Sequence, residues 1–210
     1  IVWTLMDGSH TTTSTFVPAG ATPWDYTFTG VGDTYTYIVA VAGYYKYVCS
    51  FHFGMNGFVN TKRSLPFAEN FSYTIGDSLG ANGWMAHSGA TPILVVAGSL
   101  TYPNYGSSGV GNSAYVTGGT GSRVDTHIDF TTPITSGAAY GSMLVRVDTP
   151  LATTGDYFFH FGPNYPTTTF RGRLFVRSNG TGGVNFGISK ATSTVSYAPG
   201  TYAFGTTYLI

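Results

Sequence analysis

Tyr45-Lys46-Tyr47-Val48-Cys49-Ser50-Phe51-His52-Phe53-Gly54-Met55-Asn56-Gly57 is the stretch on which the reading of this chain turns. Tyr45, Tyr47 and Cys49 recur at period two, the spacing of one face of a β-strand. Cys49-x-x-His52-x-x-Met55 then places a thiol, an imidazole and a thioether on the loop that follows. A strand end running into a tight loop can deliver three such groups to one point. Cys49 is the only cysteine, so no internal disulfide exists, and a lone thiol is an oxidation liability unless it is buried or metal-bound.

Working outward, Ile1–Leu5 reads as a strand, Asp7–Thr11 as a turn carrying His10, and Pro18–Asp25 as a loop. Thr34–Val41 alternates Tyr35, Tyr37, Val39 and Val41 on one face, and Gly57–Asn60 continues as a short strand. His10 would supply a second imidazole from a neighbouring loop. One thiolate, two imidazoles and a weak thioether are the donors of a blue-copper site. Zinc suits this set less well, because a thioether is a poor zinc ligand. A Cys–His nucleophile lacks any recognisable oxyanion hole or orienting acid. The bland alternative makes Cys49 a small buried hydrophobe and Met55 a core filler.

The Tyr45–Gly57 stretch resembles the ligand loop of plastocyanin-like cupredoxins with the short amicyanin-type spacing. Val2-Trp3-Thr4 and Gly8-Ser9-His10-Thr11-Thr12-Thr13 resemble the strand and loop of the first His ligand, and Pro18-Ala19-Gly20 and Trp24 extend the likeness. It covers residues 1–61 and implies a cupredoxin-like Greek-key β-sandwich with one type 1 copper held by His10, Cys49, His52 and axial Met55. Phe51 stands where the family usually has Pro. The family has one or two strands before the one at Ile1, so the resemblance implies an N-terminally incomplete sandwich.

Composition agrees with an all-β chain. There is one Glu, no Gln and three Lys, so strong helix formers are nearly absent, while 16 Tyr, 15 Phe and 29 Gly supply strands and turns. Charged residues are 9% of 210, with a formal net charge of zero. That balance excludes a phosphate-neutralising nucleic-acid binder, and no apolar run reaches the ~20 residues of a spanning helix. Lys62–Pro66 interrupts the uncharged texture and reads as a linker.

Beyond it, 67–210 reads as short strands separated by turns: Ile93–Val96, Ala114–Thr117, Val124–Phe130, Ser142–Val147, Tyr157–Phe161, Arg171–Arg177, Gly183–Ser189 and Thr194–Tyr197. Leu65–Phe71, Gly155–Pro163, Phe170–Arg173 and Asn185–Ser189 resemble laminin-G/concanavalin-A-like jelly-roll modules of bacterial proteins exported by type IX secretion. The resemblance implies a jelly-roll β-sandwich, secretion or a cell-surface location, and a carbohydrate- or surface-binding or purely structural module. Tyr208–Ile210 reads as the start of a further strand, so C-terminal truncation is expected too.

Strict alternation puts Met143, Val145, Val147, Tyr157, Phe159, Phe161, Leu174, Val176, Val184, Phe186 and Ile188 on a core face. Arg146, Phe158, His160, Arg171, Arg173, Phe175 and Arg177 fall on the other, where rings and guanidinium groups could hold a carbohydrate or acidic polymer. The plainer reading is a solvated sheet face. His87 and His127 stand isolated, and a single Glu argues against a glycoside hydrolase.

The sequence thus points to a non-enzymatic, exported copper or electron-transfer protein with a redox partner protein and a lectin-like appendage. The competing expectation is a structural or adhesive surface protein that self-associates through exposed sheet edges, with a vestigial copper site.

Overall fold

A computed structural model describes residues 1–118, 123–149, 152–163, 169–191 and 194–210. It is all-β, built from antiparallel pairs, with one short 3-10 helix, Leu79–Asn82, among the described residues. In chain order the strands are β1 (Val2–Thr4), β2 (Thr11–Phe16), β3 (Asp25–Thr27), β4 (Thr34–Thr36), β5 (Tyr44–Val48), β6 (Asn56–Asn60), β7 (Met85–Ser88), β8 (Leu94–Val96) and β9 (Ser113–Tyr115). They continue as β10 (Asp125–His127), β11 (Leu144–Arg146), β12 (Asp156–Phe161), β13 (Arg171–Ser178), β14 (Gly183–Ser189), β15 (Ser196–Tyr197), β16 (Tyr202–Ala203) and β17 (Thr207–Leu209). None of the described helices is long and apolar enough to cross a membrane.

The chain forms two compact units. The first comprises Ile1–Phe67 together with Asp77–Ser88 and Val124–Thr132; the second holds Ala68–Gly76, Gly89–Arg123 and Pro133–Ile210. In the first, β3-β2-β5-β6 make a four-stranded sheet, and β1 pairs with β4. The pleat turns Trp3 of β1 and its cross-strand partner Tyr35 of β4 inward, while Val2, Thr4, Thr34 and Thr36 face outward. Trp3 and Tyr35 pack against a buried core of Trp24, Tyr37 and Tyr45, with Tyr47 and Val59 completing it.

Each buried aromatic with a polar tip has found a partner, which makes its burial affordable. Trp24 Nε1 donates to Thr12 Oγ1 at 3.0 Å, Tyr37 Oη donates to the Thr22 carbonyl at 2.7 Å, and Tyr45 Oη donates to the Val41 carbonyl. The alternation read over Thr34–Val41 continues as side-chain placement beyond the ladder: Tyr37 and Val39 join the core although β4 ends at Thr36. Across the β5–β6 register Tyr47 faces Gly57, and a Cβ there would lie 2.4 Å from the Tyr47 ring. Glycine at 57 therefore lets the tyrosine lie flat over the neighbouring strand.

Arg63, within the stretch read as a linker, is tied into the first unit. Its N–H donates to the Asp129 carbonyl at 2.7 Å, and its carbonyl accepts from Thr131 N–H at 2.8 Å. The antiparallel pair β7–β10 belongs to the same unit.

In the second unit β12-β13-β14 form the central ladder, with β15 and β16 both pairing with β14. β8–β9 and β11–β17 are separate two-stranded pairs. Among its described residues, Val95, Val184 and Phe186 are the buried apolar side chains. The alternation expected for β12 fails: the register slips between Tyr157 and Phe159 and again before Phe161. A bulge shifts the phase of the side chains, so strict period-two counting breaks there. Tyr157, expected on the core face, sits opposite Phe175 and within 5.9 Å of the Arg173 guanidinium instead. Ile188, also expected in the core, is exposed near the end of β14, where it is paired with Leu174 on one side and Ser196 on the other.

Candidate metal centre

The site forms where β1–β2 and β5–β6 turn. Cys49 follows directly after β5, and the loop to β6 is closed by its own backbone: Cys49 N–H donates to the Met55 carbonyl at 2.9 Å and Met55 N–H to the His52 carbonyl at 3.2 Å. This compact turn brings His52 Nδ1 to 3.3 Å from Cys49 Sγ. From the β1–β2 turn, His10 Nδ1 stands 3.5 Å from the same sulfur. The ligand atoms of His10, Cys49 and His52 all lie within 4.8 Å of one another. Bond lengths of ~2.3 Å to sulfur and ~2.0 Å to nitrogen, at trigonal or tetrahedral angles, place sulfur and nitrogen about 3.5 Å apart. The two sulfur–nitrogen edges already have that length, and the group is compatible with a metal ion.

On the far side of the ring, Nε2 of His10 lies 3.9 Å from Oδ1 of exposed Asp7, beyond hydrogen-bond distance. Gly8, at φ +65°, lets the turn fold back so closely that a Cβ there would sit 3.2 Å from Nε2.

Three hydroxyl residues outside the expected ligand set hold the two loops in register. Thr11 N–H donates to Cys49 Sγ at 3.4 Å, and Thr11 Oγ1 accepts from Ser50 N–H at 2.7 Å. Thr13 Oγ1 donates to Thr11 Oγ1 at 3.1 Å and accepts from Ser50 Oγ at 3.0 Å. The Thr11-Thr12-Thr13 run directly after His10 is the sequence signal that carried this role.

Cys49 is buried, which by itself pushes its thiol up. The Thr11 N–H, the His52 and His10 rings and the Phe51 N–H outweigh that and hold it at about 6 against an ordinary 9.0. The sulfur is therefore an anion at neutral pH, the form that binds metals. His52 is exposed, as are Phe51, Met55 and the fully exposed Phe53, along an open depression lined by Val48–Asn56. Met55 reaches the site through its backbone, which both Cys49 and His52 engage.

The second set of expected residues is only partly brought together. His160, Arg173 and Phe175 cluster with Tyr157 and Phe170: the His160 ring is 4.6 Å from Phe170, and the Arg173 guanidinium lies 5.3 Å from Phe175 and 5.5 Å from Phe170. Arg177 stands farther along β13, 3.7 Å above Tyr197. Arg171 is exposed at the start of that strand, and Phe158 is half-buried in the bulged region of β12. Arg146 belongs to the β11–β17 pair, not to this sheet, and forks onto Asp148 with contacts of 2.6 and 2.9 Å. His127 Nε2 lies 3.9 Å from Asp129 Oδ1; the His87 side chain lies outside the described residues.

Compared with models of known families, with curated proteins and with solved structures, the chain matches none.

Proposed function

We propose that the chain is a type 1 copper-binding module used for electron transfer or copper binding rather than substrate turnover. His10 and His52 would bind through Nδ1, Cys49 through its thiolate, and Met55 as the weak axial contact. The observation that carries this reading is the convergence of two imidazole nitrogens on one buried, low-pKa sulfur at 3.3 and 3.5 Å. A thiolate with two imidazoles and a distant thioether accommodates both copper oxidation states with little rearrangement. Zinc, by contrast, would want a fourth strong donor.

In the same reading, residues 1–61 carry a cupredoxin-like Greek key, and the second unit, without the 77–88 and 124–132 segments that join the first, carries a jelly roll of an exported, surface-associated protein. Exposed Phe51 and Phe53 would flank His52 as the point where a redox partner docks. The Arg173–Phe175–His160 group would be the part of the second unit that meets a carbohydrate or surface polymer.

The test is addition of Cu(II) to the metal-free protein. Stoichiometric binding with an intense visible thiolate-to-copper charge-transfer band supports the proposal. Weak binding, or only the pale spectrum of tetragonal Cu(II), overturns it and favours the structural or adhesive reading.

A further inference from the structure

The core of the first unit is unusual in its chemistry as well as in its packing: it is made of oxidisable rings in unbroken succession, and the succession begins beside the Cys49 sulfur. Thr11 N–H donates to Cys49 Sγ at 3.4 Å, and the next residue, Thr12, accepts from Trp24 Nε1 at 3.0 Å. Two hydrogen bonds and the six covalent bonds from Thr11 N to Thr12 Oγ1 therefore link the sulfur to an indole. From Trp24 the ring of Trp3 is 5.4 Å away, and Tyr35 lies stacked on Trp3 at 5.9 Å. Tyr26 lies stacked on Tyr35 at 4.7 Å with an interplanar angle of 20°.

The succession ends on a base. Tyr26 Oη stands 3.1 Å from both carboxylate oxygens of Asp33. Asp33 is itself fixed by Thr29 N–H at 2.9 Å, Thr29 Oγ1 at 3.1 Å and Thr34 N–H at 2.8 Å. The Thr29 N–H leads the contacts that hold its carboxyl below the usual range against the cost of burial, so it is ionised at neutral pH. A phenol gives up an electron far more readily when a neighbouring base takes its proton. Trp24 has no such base, since Thr12 offers it only a neutral hydroxyl.

We propose that Trp24, Trp3, Tyr35 and Tyr26 form a relay that draws one-electron oxidising equivalents from the Cys49 site to the Tyr26–Asp33 pair. The oxidant is a strong one-electron acceptor of the oxygen- or nitrogen-centred radical class, reduced to its anion as it removes one electron from an indole. The indole radical cation takes an electron through Tyr35 from Tyr26, whose phenolic proton passes to Asp33. The products are a restored tryptophan, a neutral Tyr26 phenoxyl radical and a protonated Asp33. Kept from the sulfur, the radical cannot take an electron from the Cys49 thiolate and leave a thiyl radical there. The relay lies in the aromatic core and does not rest on which metal the site holds.

Pulse radiolysis of the metal-free full chain with azide radical tests this, because a failed copper titration leaves the experiment intact. The expected result is concentration-independent decay of the indolyl signal with matching growth of the phenoxyl signal. Tyr26→Phe, which keeps the ring, and Tyr35→Leu, which breaks the stack, should each slow that phase about tenfold or more, the mark of a lost low-barrier route. Asp33→Asn should slow it while leaving Tyr26 present. Tyr140→Phe, at an exposed site in the second unit, should leave it unchanged. Cys49 oxidation per radical dose, read by mass spectrometry, should rise in Tyr26→Phe. An unaltered intramolecular phase in a folded Tyr26→Phe protein, or transfer whose rate scales with protein concentration, would overturn the relay.

Discussion

The two units solve the same problem, a chain poor in charge and rich in Tyr, Phe and Gly, in different ways. The first concentrates its burial: Leu5, Trp24, Phe28, Tyr37, Tyr45, Cys49 and Leu79 are all buried, and their polar tips are tied to backbone or to Thr12. The second has long ladders, β12-β13-β14, but among its described residues only Val95, Val184 and Phe186 are buried apolar side chains. Backbone pairing, contacts between half-buried rings such as Tyr202 and Tyr208 at 5.2 Å, and guanidinium groups over rings, as with Arg177 on Tyr197, add to these. The contrast shows what a preset ligand group needs. Sulfur and imidazoles stay within reach of one another only if the loops carrying them are clamped, and the clamp is an aromatic core plus a hydroxyl network.

The largest expected effect falls on the site itself. Cys49→Ala should abolish the copper charge-transfer band and stoichiometric binding, whereas Met55→Leu should keep copper and mainly move its potential. Equal loss in both variants, read by absorption titration, would remove the axial role given to Met55.

Next in size is the core. Tyr45→Ala deletes a completely buried ring packed against Trp24 and Tyr37 and should cost about 3–5 kcal/mol in denaturant unfolding. Val184→Ala in the second unit should cost about 2 kcal/mol, one buried aliphatic side chain. Equal costs would break the contrast between concentrated and dispersed burial.

The thiol gives a pH signature confined to the first unit. Its folded pKa of about 6 lies below the ordinary 9.0, so between these values the unfolded chain binds more protons than the folded one. The contribution is full above pH 9, declines as pH falls, and is gone below about 6. Metal-free protein should therefore gain stability relative to Cys49→Ser from pH 6 to pH 9, and alkylation of Cys49 should titrate near 6. Alkylation that titrates near 9 would show that Thr11, His10 and His52 do not hold the anion.

The smallest effect is expected in the second unit. Arg177→Ala should cost about 0.5–1 kcal/mol by loss of its cation–π contact with Tyr197. Asp148→Ala, at an exposed ion pair with Arg146, should fall within about 1 kcal/mol of zero.

Much of this was legible beforehand where the signal was local. Period two in Tyr45–Cys49 and the Cys49-x-x-His52 spacing announced a strand running into a tight loop that sets His52 beside the sulfur, and β14 runs from Gly183 to Ser189 as expected. Less was legible where partners decide. Nothing in the alternation of Asp156–Phe161 announces the two register slips that send Tyr157 toward Arg173, because a bulge is set by the neighbouring strand. Arg146 looked like one member of an arginine face and instead pairs within β11–β17.

By itself, then, the sequence determined the all-β class, through its lack of helix formers and its punctuation by Gly and Pro, and it nominated Cys49, His52 and His10 by their chemistry. Only the tertiary structure decided that His10 arrives 3.5 Å from the sulfur, across 39 residues of chain. It also decided that Thr11, Thr13 and Ser50 lock the two loops, and that Trp3, Trp24, Tyr35 and Tyr26 fall into one line of rings. The physical reason is that composition and periodicity act along the chain. Distances between loops are set by packing, and packing depends on every strand that happens to lie between them.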